Sequence, residues 1–235
     1  MQQSVAKTGI EQLERIAGYL KSCDTLQALT SAEYEQLAAD CQHLTLRRGS
    51  TVYSATDAPL YAYLLVHGAV QTGHIDGNGK HVIYALIQPG QIFGELGVCV
   101  PGRREERCDV TEDSSIVAVH ASRLREILQQ NAAAAFAMLT LCGQRRRNMT
   151  RRLESVLFQS TRHRVIRLLQ ELAQIGGIPD GDGIKIHLPL SHQDLGRFIG
   201  VSRETITITL GQLRSEGLIR MDRRRIVLTQ PDSLQ

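Results

Sequence analysis

Apolar positions recur at helical spacing across residues 9–40 (Leu13, Ile16, Leu20, then Leu26, Leu29, Tyr34, Leu37), which predicts two or three short helices at the head of the chain. From about Leu44 to Val119 the pattern shifts to short β-type runs: Thr51 to Tyr53, Tyr61 to Val66, Ala69 to His74, His81 to Ile87, Ile92-Phe93, and Ile116 to Val119. Gly49, Gly68, Asp76-Gly77-Asn78-Gly79, Pro89-Gly90 and Pro101-Gly102 separate them, the punctuation of an antiparallel roll or barrel. Asp76 to Gly79 reads as a hairpin connection, because Asn and Gly tolerate the positive φ that such turns need.

From Ser122 to about Gln159 glycine nearly vanishes and helix formers dominate. Leu139, Cys142, Arg146, Met149, Leu153 and Val156 follow a 3-4-3-4-3 spacing, a heptad seam. Such a stripe can face a second copy of the helix or pack on the chain's own roll. Arg146 inside it counts against the first alternative. Val165, Ile166, Leu168, Leu169 and Leu172 mark a further amphipathic helix, and Gly176 to Gly183 reads as a loop by composition.

Ser191-His192-Gln193-Asp194 then opens a short apolar-periodic helix with Ser as N-cap and an acid three residues on, a capping-box arrangement. Gly200 offers a left-handed turn, Ser202 caps a second helix from Arg203 to Glu216, and Gly217 stops it. Gly196 leaves room for two helices to cross closely, while Ile206 and Leu210 face the first helix, the spacing of a helix-turn-helix. Leu218 to Met221, a turn at Asp222-Arg223-Arg224, and Arg225 to Leu228 predict a two-stranded wing with a basic tip.

In such a unit the start of the second helix enters the major groove, and here it offers Ser202, Arg203, Glu204, Thr205 and Thr207. Arg203 can fork onto guanine O6 and N7, Glu204 can accept from cytosine N4, and the threonine methyls can touch thymine. His192, Gln193, Arg223, Arg224 and Arg225 are placed for phosphates, which set register without reading sequence.

Charge supports this reading. The 235 residues carry a formal net charge of +3, but residues 1–142 hold 11 basic against 15 acidic side chains and residues 143–235 hold 16 against 9. The balance of −4 and +7 points the second part at a polyanion. With 42% apolar and 22% charged residues the composition is that of a globular protein. No apolar run approaches the roughly 18–20 residues a bilayer span requires, and no signal-peptide pattern opens the chain, so a cytoplasmic protein without membrane contact is expected. Five dispersed cysteines (Cys23, Cys41, Cys99, Cys108, Cys142) suit a reducing compartment and burial as small apolar side chains. On a dimer seam Cys142 would face its symmetry mate.

The glycine-punctuated roll with Ile92-Phe93-Gly94-Glu95-Leu96-Gly97, the seam helix, and Gly200-Val201-Ser202-Arg203-Glu204-Thr205-Ile206 resemble the cyclic-AMP receptor protein and fumarate-nitrate reduction regulator family of bacterial transcription factors. From Asp182 through the wing the chain also resembles the cyanobacterial global nitrogen regulator. The resemblance implies an α+β protein in three parts. These are a cyclic-nucleotide-binding-type β-roll with N-terminal helices over 1–120, a dimerisation helix over 121–160, and a winged helix-turn-helix over 161–235. It also implies a homodimer on a pseudo-palindromic double-stranded DNA operator, contact with RNA polymerase, and an effector site in the roll.

Within that site Gly94 and Glu95 match the family's phosphate cassette. The Arg-Ser pair that neutralises the cyclic phosphate falls on Glu106-Arg107 without a gap, or on Arg107-Cys108 with a one-residue insertion. The adenine-contacting Thr-Ser pair falls on Met149-Thr150. Gly94, Glu95, Arg107, Met149 and Thr150 are thus the candidate effector residues, and cyclic AMP is not the expected ligand, because Glu105 and Glu106 oppose a phosphate. Another ligand, a redox or haem-borne gas signal, or no effector remain open. Ile208 stands where the family commonly places a second arginine, which predicts altered preference at that base pair.

For metals, Cys23 and Cys41 do not form an iron-sulfur cluster's tight set, and His74 and His81 across the hairpin are too few for metal or haem. No metal site is assigned. The sequence holds no G-x-S-x-G, H-E-x-x-H, Walker A or dinucleotide fingerprint, so no enzyme is expected. A module that no longer binds DNA, using the winged helix for protein contacts, is the rival of a different class.

Overall fold

The computed structural model describes residues 2–188, 190–222 and 225–229, with side chains from residue 11 onward. The chain divides into two compact units, residues 1–80 with 84–146, and residues 147–235 with 81–83.

The first unit opens with α1 (Gln2–Lys21) and α2 (Ser31–Ala39). Thr30 starts α2 with a reciprocal capping box: its hydroxyl oxygen accepts from the Glu33 N–H, and the Glu33 carboxylate accepts the Thr30 N–H at 2.7 Å. The roll follows as β1 (Cys41–Leu46), β2 (Thr51–Tyr53), β3 (Tyr61–Ile75), β4 (His81–Ile87), β5 (Ile92–Phe93), α3 (Leu96–Cys99) and β6 (Arg107–His120). The sheet runs β1-β6-β3-β4, with β2 added to β6 and β5 to β3; the pairs β1/β6, β2/β6, β3/β5 and β3/β6 are antiparallel.

Two strands exceed their expected length. Residues 61–75 form one strand through Gly68, with register shifts absorbing the interruption, and β6 begins at Arg107 rather than Ile116. Its first half was hidden because charged outward positions (Arg107, Asp109) alternate with Cys108 and Val110 inside, so no continuous apolar run marks it. Strand β1 is also absent from the sequence-derived runs.

Alternation along β3 and β6 splits the core in two. Ala62, Leu64, Val117 and Val119 face the helices, packing with Ile16, Leu20, Leu37, Leu124 and Met138. Tyr63, Leu65, Ile116 and Ala118 face the roll interior with Tyr53, Phe93 and Cys108.

The expected single helix over 121–160 is two, α4 (Ala121–Gln130) and α5 (Ala132–Phe158). Asn131 breaks it. Its backbone is extended, its side-chain oxygen accepts the Ala134 N–H at 3.0 Å, and its amide donates to the Ala28 carbonyl at 3.0 Å and to Glu33. A capping side chain there replaces the missing helix turn. Ala134 and Met138 are buried on α5, while Leu139, Arg146, Met149, Leu153 and Val156 are exposed and Cys142 is half-buried.

In the second unit α6 (Thr161–Gly176) buries Val165, Ile166, Leu169 and Leu172. The stretch expected to be a loop is a hairpin, β7 (Gly177–Asp180) and β8 (Gly183–Ile186). Glycine-rich composition concealed it: Pro179 is tolerated on the edge strand and the Gly181-Asp182 link makes a tight turn. Then come α7 (His192–Ile199), α8 (Arg203–Ser215), and the wing β9 (Ile219–Asp222) and β10 (Arg225–Leu228). The sheet order is β7-β8-β10-β9, so the wing is half of a four-stranded sheet. Among the described residues no helix is long and apolar enough to cross a membrane.

Candidate functional site

The α7–α8 pair is fixed by local chemistry. Ser191 Oγ accepts the Asp194 N–H at 3.2 Å, and the Asp194 carboxylate accepts the Ser191 N–H at 3.0 Å, completing the expected capping box. Gly200 ends α7 at φ 70, ψ 37, the left-handed region where a side chain is strained. From α6, the Arg164 guanidinium donates to the Ile199 carbonyl at 2.8 Å, placing a cation on the C-terminal end of α7. Ser202 Oγ then accepts the Thr205 N–H at 3.1 Å to start α8. Leu195, Phe198, Ile206, Leu210 and Leu213 are buried, which leaves the opposite face of α8 outward.

That face carries the sequence-predicted readers. Ser202, Arg203, Glu204 and Thr207 are exposed, and Thr205 is half-buried. The Glu204 carboxyl lies below the usual carboxylate range because its own first-turn N–H and the Ser202 hydroxyl donate to it, so it stays an anion that can only accept. Thr207 gives its hydroxyl proton to the Arg203 carbonyl at 3.0 Å, so its oxygen is left to accept from His192 Nδ1, 2.9 Å away. His192 on α7 and Thr207 on α8 are thereby joined, with Gln193 exposed beside them. Arg225 opens β10 opposite Asp222. Arg223 and Arg224, the expected wing tip, lie outside the described residues.

The roll interior differs from its expected constellation. Arg107 is turned to the outer face of β6, opposite to the buried Cys108. There it forks onto Asp109 at 2.6 and 2.7 Å and donates to Thr51 Oγ1 at 3.0 Å. It is not an interior cation, because β alternation sends it outward whenever Cys108 points in. The interior cation is Arg104, 8% exposed, its guanidinium 3.9 Å from the Tyr53 ring centre and bonded to the Tyr61 carbonyl. It lies against Gly94: a Cβ there would come within 2.8 Å of Arg104 Nη1.

Glu95, 5% exposed, is ion-paired with Arg145 of α5. Glu106 is in the same interior. Tyr53 donates to it at 2.7 Å and Thr72 also bonds to it, while burial pushes its carboxyl above the ordinary range. Sequence reasoning missed Arg104, Arg145 and Tyr53; once β6 is drawn back to Arg107, period-two alternation would have shown Arg107 outward. Met149 and Thr150 are exposed on α5.

Cys23 and Cys108 are buried, whereas Cys99 is exposed, contrary to the burial expected of all five. Burial raises the Cys23 and Cys108 thiols and holds Cys41 up at about 12, so these thiols stay protonated at neutral pH. Among the described residues no group of three or more His, Cys, Asp and Glu side chains gathers to hold a metal ion.

Comparison with known proteins matches residues 43–131 to the cyclic nucleotide-binding domain and residues 141–235 to the Crp-like helix-turn-helix domain. The global nitrogen regulator of Synechococcus elongatus is 30% identical over 190 residues, 80% of this chain and 85% of that protein. The CRP-like cAMP-activated global transcriptional regulator of Mycobacterium tuberculosis is 23% identical over 88% of this chain and 93% of its own length. Among solved structures, FixK2 from Bradyrhizobium japonicum superposes with a TM-score of 0.73 at 22% identity, covering 83% of this chain and 95% of that one.

Proposed function

Because the chain belongs to the cyclic-AMP receptor protein and fumarate-nitrate reduction regulator family, we propose that it acts as a homodimer on a pseudo-palindromic operator and does not answer to cyclic AMP. It is a transcriptional regulator with a DNA-binding helix-turn-helix and a cyclic-nucleotide-binding-type sensor domain. The observation that carries the finer reading is the exposure of Arg203 and Glu204 on the first turn of α8, free to enter a major groove. Arg203 reads guanine and Glu204 accepts from cytosine, while His192, Gln193 and the wing arginines hold phosphates. The exposed stripe of α5 supports pairing of two chains, which would present two reading heads to two half-sites. RNA polymerase is the partner through which a bound dimer would act.

Three features support a degenerate cyclic-AMP site. Arg104 lies against Gly94 and is engaged by Tyr53 and the Tyr61 carbonyl; Glu95 is occupied by Arg145; and the Glu106 carboxyl stands where a phosphate would meet like charge. The signal is then another ligand, a redox or haem-borne one, or none.

Titrating operator binding against salt tests the DNA reading. Affinity for an operator selected from random duplexes should fall steeply with salt, and Arg224→Ala should reduce the log–log slope by about 1 with equal loss on all sequences. Arg203→Ala should lose about 1–3 kcal/mol on the operator and little on unrelated DNA. A salt-independent response, or equal loss across sequences for Arg203→Ala, overturns the assignment.

A further inference from the structure

We propose that Ile208 is a specificity-determining residue that reads the 5-methyl group of a thymine in each half-site. The inference rests on the DNA-binding reading above and goes beyond it by naming a base. Ile208 is 63% exposed, and among the described residues of α8 it is the one large apolar side chain left in solvent. It follows Glu204 by one helical turn and therefore shares its face, between the acid and the next exposed positions, Gly211 and Gln212.

Among the described residues no packing contact accounts for its exposure. The inward stripe of α8 is complete with Ile206, Leu210 and Leu213, and a β-branched side chain is a weaker helix former than the alanine or charged residue an exposed position would ordinarily carry. In a major groove the apolar group available to such a side chain is the thymine methyl; guanine, cytosine and adenine present only donors and acceptors there.

The two threonines compete less well for this role. Thr205 is half-buried with its hydroxyl against Ser202, and Thr207 is tied to the Arg203 carbonyl and His192. Five residues separate Ile208 from Arg203, about 7.5 Å of helix rise. The thymine should accordingly lie within about two base-pair steps of the guanine read by Arg203.

The test uses the full chain and an operator obtained by selection from random duplexes, with each thymine replaced in turn by uracil, which removes the methyl and leaves pairing intact. One thymine per half-site should show a loss of about fourfold in affinity on replacement, about fifteenfold when both half-sites are changed, the worth of one buried methyl-sized group. Ile208→Ala should bind the thymine and uracil operators equally, with an unchanged melting temperature. Ile208→Arg should shift selection at that position from thymine to guanine.

If uracil is neutral at every position while specific, salt-dependent binding persists, the inference fails and the DNA reading stands. If the uracil effect survives in Ile208→Ala, a threonine reads the methyl and the inference fails. If no duplex is bound specifically, the DNA reading itself fails.

Discussion

Gly196→Ala probes how tightly α7 and α8 cross. A Cβ at residue 196 would sit 2.6 Å from the Val201 carbonyl oxygen, about 0.8 Å inside the 3.4 Å at which ordinary contact begins. The obstructing atom is backbone, and the Val201 and Gly200 N–H groups both bond to the Gly196 carbonyl, so the turn cannot swing away without losing them. Overpacking of this kind costs about 1–3 kcal/mol. Alanine also gains up to about 1 kcal/mol over glycine in a helix, which partly conceals the clash.

Gly211→Ala supplies the control, since a Cβ on that α8 glycine meets nothing within 4 Å and takes the helix gain alone. The gap between the two variants is therefore the crossing term, about 1–3 kcal/mol. All six tyrosines lie at or before residue 84 and there is no tryptophan, so intrinsic fluorescence does not report on this region. Amide hydrogen exchange does: α7 and α8 should lose about 5- to 150-fold in protection in Gly196→Ala relative to Gly211→Ala. Because Val201 and Ser202 lead directly into α8, operator affinity should fall with it. Equal protection in the two variants would refute the close crossing.

Burial raises the Glu106 carboxyl, so the folded chain keeps a proton that the unfolded chain releases near pH 4.3, and stability is lost as pH rises from there through the folded value. Glu106→Gln removes that loss, so its melting temperature should exceed the parent's by more at pH 7.5 than at pH 4, read by tyrosine fluorescence; a larger gap in acid would contradict the burial argument. On the homodimer reading, Leu153→Asp removes an apolar seam side chain from both copies at about 1.5–3 kcal/mol each, so dimer association in sedimentation should weaken at least about a hundredfold. An undisturbed dimer would place the interface elsewhere.

The helix-turn-helix was legible because every local signal agreed there: two caps, a left-handed glycine, and apolar spacing that matched the observed burial. Legibility failed where one signal outweighed a second. Asn131 reads as a tolerable helix residue until its capping bonds to Ala28, Glu33 and Ala134 are known, and those partners are remote in sequence or absent from any periodicity. Gly176 to Gly183 reads as a loop because strand pairing with β10 is a tertiary fact. Alignment offers Arg107 as an effector-site residue, while the strand's own alternation assigns the interior to Cys108 and leaves Arg104 to reach in from the preceding turn.

The consequence for signalling lies in how the roll balances its charges. A buried charge persists only with partners, and here Glu95 has Arg145, Arg104 has an aromatic face and a carbonyl, and Glu106 has the hydroxyls of Tyr53 and Thr72, with the Arg145 charge set against that of Glu95. An anionic effector entering beside Glu106 would meet like charge unless that carboxyl were protonated. Its arrival would therefore raise the Glu106 pKa further, and ligand and proton would bind together. Affinity for an anion in this roll should consequently fall as pH rises through the folded Glu106 value, and Glu106→Gln should abolish that dependence. A cationic effector would show the opposite sign, binding more tightly as Glu106 ionises, and a neutral one little dependence, so the sign of the pH dependence distinguishes the chemical class of the signal before its identity is known.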